Sequence, residues 1–288
     1  MAESILRASI TRRDFLYASL ALTAGGCAMA RAQESALFAQ STSAVLERQF
    51  GCADLSWLLI DRSARVLAQK WPDASKAIAP GSLLKPFLAS AYGEQYHLRY
   101  PSLFCAGTAN RCWYAHGHGE IGLEEALAQS CNAYFLHLAG SLDEACIRAT
   151  CARYGLHLPE QKLEDADMIG LTGAWLETPL CLAQAYLTLL QDRSAPSRDR
   201  IAAGMKAAAQ HGTARGASIA FASQDLLAKT GTASCQHRPR ATADGLAILL
   251  YPAAAPRFLL LTRQHAATGA QAARYAGAML HAIGLGVS

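Results

Sequence analysis

Ser82 and Lys85 stand three residues apart in Gly81-Ser82-Leu83-Leu84-Lys85. On a helix that spacing puts a hydroxyl and an amine on one face, a single turn apart. A serine hydroxyl is a poor nucleophile at its free pKa and needs a base within hydrogen-bond reach. Lys85 can be that base only if burial or a second cation lowers its pKa. Lys229, in Lys229-Thr230-Gly231-Thr232, is a candidate for the second cation. Between them in sequence lies Ser130-Cys131-Asn132. Its hydroxyl can relay a proton from Lys85 to a leaving nitrogen, and its amide can hold a peptide group. Gly231 allows a ligand close to the backbone. Thr230 and Thr232 offer hydroxyls, and Lys229 a charge, for a carboxylate. The N–H groups of Ser82, at a helix start, and of Thr232 can stabilise an oxyanion. The chemistry is nucleophilic acyl transfer. Ser82, Lys85, Ser130 and Lys229 are the candidate catalytic residues, and Asn132, Thr230, Gly231 and Thr232 the candidate binding residues.

Each cluster also has a plain structural explanation: a lysine stem lying along a helix, helix capping at Ser130 and Asn132, a strand-end turn at Gly231. The combination S-x-x-K, S-x-N, K-T-G, in that order, carries far more information than any one alone.

The elements that must position these residues are legible. An opening helix is expected over Ala36 to Phe50. Ser56–Asp61 and Val66–Lys70 read as a β-hairpin. Pro80-Gly81 then punctuates the chain, and a helix is expected to start near Ser82, with Leu84, Phe87, Leu88 and Ala91 along one face. The stretch from about residue 100 to 220 reads as mostly helical. Leu123–Ala128 and Ala133–Leu142 flank the second cluster, Pro179–Gln191 forms a further helix, and Ser194–Arg200 is a polar loop. Strands return at Leu226–Thr230, Ala243–Tyr251 and Arg257–Arg263, with a closing helix over Ala270–Ile283. Strands at both ends joined by short turns predict an α+β fold. Its antiparallel sheet of about five strands is flanked by the terminal helices, and an all-helical lobe is inserted between the sheet segments.

The chain has 288 residues, 52% hydrophobic and 17% charged, with a net charge of +4. That composition excludes a disordered chain and gives no footprint for nucleic acid. Thr11-Arg12-Arg13-Asp14-Phe15-Leu16, the uncharged run to Ala30 and Ala30-Arg31-Ala32 read as a twin-arginine export signal with its cleavage site. The expected division is a signal over 1–32 and one domain over 33–288. Retention as an anchor, or lipidation at Cys27, are the alternatives. Export would permit a Cys105–Cys112 disulfide; the alternative is a pair of buried thiols. No His/Cys cluster has zinc spacing and His116-Gly117-His118 is too tight, so neither metal nor cofactor is expected.

The chain resembles the transpeptidase domain of penicillin-binding proteins, within the superfamily they share with serine β-lactamases. Pro80-Gly81-Ser82-Leu83-Leu84-Lys85-Pro86-Phe87 is similar to the family's first motif. Arg111-Cys112-Trp113, Gly117-His118-Gly119 and the run from Ala126-Leu127 through Ser130-Cys131-Asn132-Ala133-Tyr134-Phe135 resemble the approach to the second in elongation-type class B enzymes. Thr178-Pro179-Leu180 resembles a family T-P-L. The likeness runs from about Ser56 to the C-terminus.

The resemblance implies a penicillin-binding D,D-transpeptidase or D,D-carboxypeptidase acting on D-Ala-D-Ala stem peptides of peptidoglycan. In that scheme Ser82 is the acylated nucleophile, Lys85 its base, Ser130 and Lys229 the proton relay, Asn132 the amide holder, and Thr230 and Thr232 the carboxylate site. It also implies a periplasmic location, or the outer face of the cytoplasmic membrane, with possible cell-wall protein partners. A serine β-lactamase and a non-catalytic β-lactam sensor or peptidoglycan-binding module are the alternatives. The pedestal domain and long anchor usual in class B enzymes are not seen, so a free-standing catalytic domain is expected, with a compact helical lobe. Glu177-Thr178-Pro179-Leu180 resembles the E-x-x-L of class A β-lactamases, although Glu177 also reads as a helix N-terminal acid.

Overall fold

The computed structural model describes residues 33–71, 74–235 and 243–286; the expected export segment lies outside them. A helix over 33–50 (α1) opens the chain. Strands β1 (Leu55–Asp61) and β2 (Val66–Lys70) form the hairpin. Strands β5 (Leu227–Ala233), β6 (Asp244–Tyr251) and β7 (Phe258–His265) come from the other end of the chain, followed by helix α10 (Gly269–Ala282). They assemble one antiparallel sheet in the order β2-β1-β7-β6-β5. Strand β5, which carries Lys229 to Thr232, is therefore an edge.

Between the sheet segments run α2 (Lys85–Gln95), α3 (Leu123–Ala128), α4 (Asn132–Ala139), α5 (Glu144–Tyr154), α6 (Asp165–Met168), α7 (Pro179–Gln191), α8 (Arg198–Gln210) and α9 (Arg215–Phe221). A two-stranded ribbon, β3 (Leu103–Cys105) with β4 (Gly119–Ile121), interrupts the helical stretch. It was not expected, because three-residue strands carry too little alternation to be seen in sequence. The expected loop over 194–200 also ends early, with α8 starting at Arg198.

The sheet is apolar on both faces because both are covered. Leu58, Ile60, Leu246, Ile248 and Leu261 pack with the inserted helices. Trp57, Leu59, Ala247, Leu249 and Leu260 pack with Ala272, Ala276 and Met279 of α10. The strand period of two divides the sequence cleanly between these two cores. A capping box fixes the start of α10: the Thr268 side chain accepts from the Gln271 N–H, and the Gln271 side chain accepts from the Thr268 N–H.

Ser82 does not sit on an α-helix. Gly81–Leu84 form a 3-10 turn, and α2 begins at Lys85, whose N–H donates to the Ser82 carbonyl. Pro86 in the first turn lacks an N–H and fits there at no cost. Gly81 explains the abrupt entry. Its φ is +56°, and a Cβ there would lie 2.7 Å from the Thr232 carbonyl oxygen. The Ser82 turn thus rests directly on the backbone of β5. Gly81→Ala is expected to destabilise the fold by about 2–4 kcal/mol, strain and clash together. Gly155 has φ +74° but open space around it, so Gly155→Ala should cost only about 1 kcal/mol. Urea midpoints of the two variants check this; equal losses would mean that the contact with β5 adds nothing.

Candidate active site

A cleft of about 520 Å³ opens between the β5 edge and the helical lobe, lined by Ser82, Ser130, Asn132, Thr230, Gly231 and Thr232 together with Trp113 and Thr213. Lys85 and Lys229 lie behind its floor, both fully buried. The three sequence clusters therefore meet in one place.

Ser130 joins the two amines. Its Oγ accepts from Lys229 Nζ at 2.8 Å and from Lys85 Nζ at 3.4 Å. Lys85 Nζ also donates to the Ser130 carbonyl at 2.8 Å and to Asn132 Oδ1 at 2.7 Å, and Lys229 Nζ donates to the Thr230 carbonyl at 2.7 Å. Asn132, its Oδ1 taken by Lys85, also lines the cleft. Ser130 has φ +52°, in the left-handed region where a non-glycine residue is strained. The turn between α3 and α4 holds that strain and keeps both the hydroxyl and the carbonyl of Ser130 aimed at the lysines.

Among the described residues no acidic partner is bonded to either amine. Burial lowers Lys85 to about 7, opposed in part by Cys131 and Cys112 nearby. Burial also pushes Lys229 well down, and the Lys85 charge pushes it further. Burial thus works against the charged form of both amines, and each positive charge disfavours the other.

Ser82 is half-buried and faces the cleft. Its turn is held by the buried Tyr186, whose hydroxyl donates to the Leu83 carbonyl at 2.7 Å. Among the described residues no hydrogen bond to the Ser82 hydroxyl forms. Gly231 backs onto the same turn: a Cβ there would lie 3.0 Å from the Pro80 carbonyl oxygen.

Two further cleft residues were not among the candidate site residues: Thr213 carried no sequence signal, and Trp113 entered only through the resemblance of Arg111-Cys112-Trp113. Thr213 Oγ1 sits 2.6 Å from Thr230 Oγ1 and orients that hydroxyl. Trp113 is half exposed on the cleft wall, its indole N–H shared between the Gln129 and Ser130 carbonyls at 3.2 Å each. Glu177 is elsewhere. Its buried carboxylate accepts from the backbone N–H of His157 and of Thr178, each at 2.9 Å, and contacts His157 Nδ1 at 3.0 Å. It lies outside the cleft lining and just ahead of the α7 N-cap, Thr178.

The cysteines follow the second of the two readings left open by the sequence, buried thiols without a disulfide. All eight described ones are free, Cys105 and Cys112 included. Both thiols turn to His118 Nδ1, at 3.5 and 3.6 Å, and the Cys131 sulfur lies 3.8 Å from that of Cys112. Donor atoms of Cys105, Cys112, His118 and Cys131 all fall within 4.8 Å of one another. Three thiols and an imidazole are the donor set of a closed structural zinc site, so these residues could hold such an ion directly behind Ser130 and Asn132. Sequence spacing pointed to no metal here, and the cluster is one of position in the fold only. The ligands come from β3, the loop after it, the turn before β4 and the Ser130 turn, which no linear spacing rule would connect.

A family model described as the penicillin binding protein transpeptidase domain matches residues 62–283. Solved structures share the fold at low identity. The transpeptidase domain of Burkholderia pseudomallei penicillin-binding protein 3 matches with a TM-score of 0.65 and 15% identity, over 87% of this chain and 92% of that one. Pseudomonas aeruginosa PBP2, solved with WCK 5153, matches with a TM-score of 0.66 and 20% identity, over 88% and 76%. Helicobacter pylori PBP2, solved in complex with MreC, matches with a TM-score of 0.71 and 16% identity, over 85% and 63%. No protein with a curated description matches the chain.

Proposed function

Because the chain belongs to the penicillin-binding protein transpeptidase domain family, we propose that it is a serine D,D-transpeptidase or D,D-carboxypeptidase working through an acyl-enzyme on Ser82. Its substrates are the D-Ala-D-Ala stem peptides of peptidoglycan, and β-lactams acylate the same hydroxyl. The observation that carries this reading is the Ser130 hydroxyl bonded to two buried lysines at the floor of the cleft that Ser82 faces.

Neutral Lys85 takes the Ser82 proton as Oγ attacks the penultimate D-Ala carbonyl. Ser130 passes a proton to the departing D-Ala nitrogen, and Lys229 resupplies Ser130. The Asn132 amide donates to a substrate carbonyl, while Thr230 and Thr232 hold the terminal carboxylate beside Lys229. An amine or water then attacks the ester. Rapid hydrolysis in the class A manner would call for a carboxylate beside the ester, and Glu177 is engaged away from the cleft. That favours a peptidase over a β-lactamase. Partners among cell-wall assembly proteins are proposed by analogy with the Helicobacter pylori complex, and the location as exported, outside the cytoplasmic membrane. Among the described residues no helix is long and apolar enough to cross a membrane.

Intact-mass spectrometry after incubation with penicillin tests the proposal. One persistent adduct is expected, mapping to the peptide that carries Ser82. Steady turnover of a chromogenic β-lactam with no adduct would replace the peptidase reading with the lactamase one. Neither adduct nor turnover would remove both.

A further inference from the structure

A second cluster of ligating side chains lies at the far end of the β5 edge, and nothing in the acyl-transfer scheme uses it. The register pairs Ala233 with Asp244 and Asp244 with His265, so the last residue of β5, the first of β6 and the last of β7 stand side by side. Asp244 and His265 project from the same face of the sheet, and Cys235, two residues past the end of β5, reaches the same spot. His265 Nδ1 lies 2.6 Å from Asp244 Oδ1 and 3.6 Å from Cys235 Sγ. The three donor atoms fall within 4.8 Å of one another.

One ring nitrogen has either one proton or one lone pair to offer. It can satisfy the carboxylate or the thiol through a hydrogen bond, while the other is left facing it. A cation between the three satisfies all of them at once. Thiolate, imidazole and carboxylate together select a borderline-soft divalent ion, zinc above the harder cations. Zinc–ligand bonds of about 2.0–2.3 Å set donor atoms roughly 3.3–3.8 Å apart, so small side-chain movements bring the present cluster to that spacing. Asp244 and His265 are only 6% and 8% exposed and are therefore held in place. Cys235 is partly exposed, which leaves a fourth position for water.

We propose that Cys235, Asp244 and His265 bind a zinc-class divalent cation that ties the exit of β5 to the ends of β6 and β7. The tie sits three residues beyond Thr232, so it fixes the strand whose edge forms one wall of the cleft. The site is independent of the set around His118 and of the reaction proposed for Ser82.

The test measures zinc on the full chain. Metal-stripped protein is titrated with zinc against a chromophoric chelator, comparing wild type with Cys235→Ser. The difference between them counts this site alone, whatever the thiols around His118 bind. Cys235→Ser is expected to lose one equivalent of competed zinc, with affinity at that site down at least about 100-fold. Asp244→Asn keeps a hydrogen-bonding oxygen for His265 and guards against a folding artefact; it is expected to weaken the same equivalent at least about 10-fold. With cobalt as the probe, wild type should show one thiolate-to-metal charge-transfer contribution more than Cys235→Ser. Equal zinc equivalents and affinities in all three proteins would overturn the proposal, as would a wild type that binds no zinc.

Discussion

Ser82→Ala is expected to abolish the penicillin adduct under conditions that label wild type completely, a fall of at least about 10⁴ in acylation rate. Alanine deletes the atom that becomes the ester oxygen, and nothing nearby replaces it. Ser130 is the other serine lining the cleft among the described residues, but its Oγ is bound to Lys229 and Lys85. The fold should not notice the change. The Ser82 side chain is half exposed, no hydrogen bond to it forms among the described residues, and the turn is held instead by Tyr186 and by Gly81 against Thr232. Stability is therefore expected to stay within about 0.5 kcal/mol of wild type. Intact mass and a urea melt on the same preparation read both quantities. An adduct that survives in Ser82→Ala would move the nucleophile elsewhere.

That separation of activity from stability explains why the site was readable before the structure. Ser82, Ser130, Asn132 and the Lys229–Thr232 run form a pattern in which side-chain type, order and spacing all matter, and such patterns survive in a linear string. The sheet was readable for a different reason: strands buried on both faces are long apolar runs with sharp ends, as in Leu246–Leu250 and Leu259–Leu261. What was not readable depends on chain crossings. Thr213 meets Thr230 because α8 ends beside β5. Cys105, Cys112, His118 and Cys131 converge because a three-residue ribbon folds back under the Ser130 turn. The 3-10 turn at Ser82 was missed because the one-turn spacing of Ser82 and Lys85 suits either kind of helix. The deciding feature, the approach of Gly81 to Thr232, is a contact across 151 residues of sequence numbering that a local pattern does not encode.

Lys85→Met should divide rate and stability in the opposite sense. Without the base, acylation by penicillin is expected to slow by about 10³–10⁴, and the rise of the wild-type rate with pH, centred near the Lys85 value of about 7, should disappear. Stability follows from linkage. Lys85 has an ordinary pKa of 10.5 when unfolded and about 7 when folded. Below pH 7 both states are protonated, and the folded state bears the whole cost of a buried cation, on the order of 4–5 kcal/mol. Between about 7 and 10.5 the unfolded chain holds more protons, so wild-type stability rises with pH, and above that window the cost is gone. Methionine bears no such cost at any pH. It does leave Asn132 Oδ1 without its donor, at about 1–3 kcal/mol, whereas the Ser130 carbonyl keeps the Trp113 indole. The two curves are therefore expected to cross: Lys85→Met is more stable than wild type at pH 6 and less stable at pH 10. Removing the Lys85 charge also relieves Lys229 at low pH, which adds to the difference in the same direction. Denaturant midpoints at the two pH values test the sign. A variant less stable than wild type at pH 6 would mean that Lys85 is a satisfied structural cation rather than an amine held near neutrality for proton transfer.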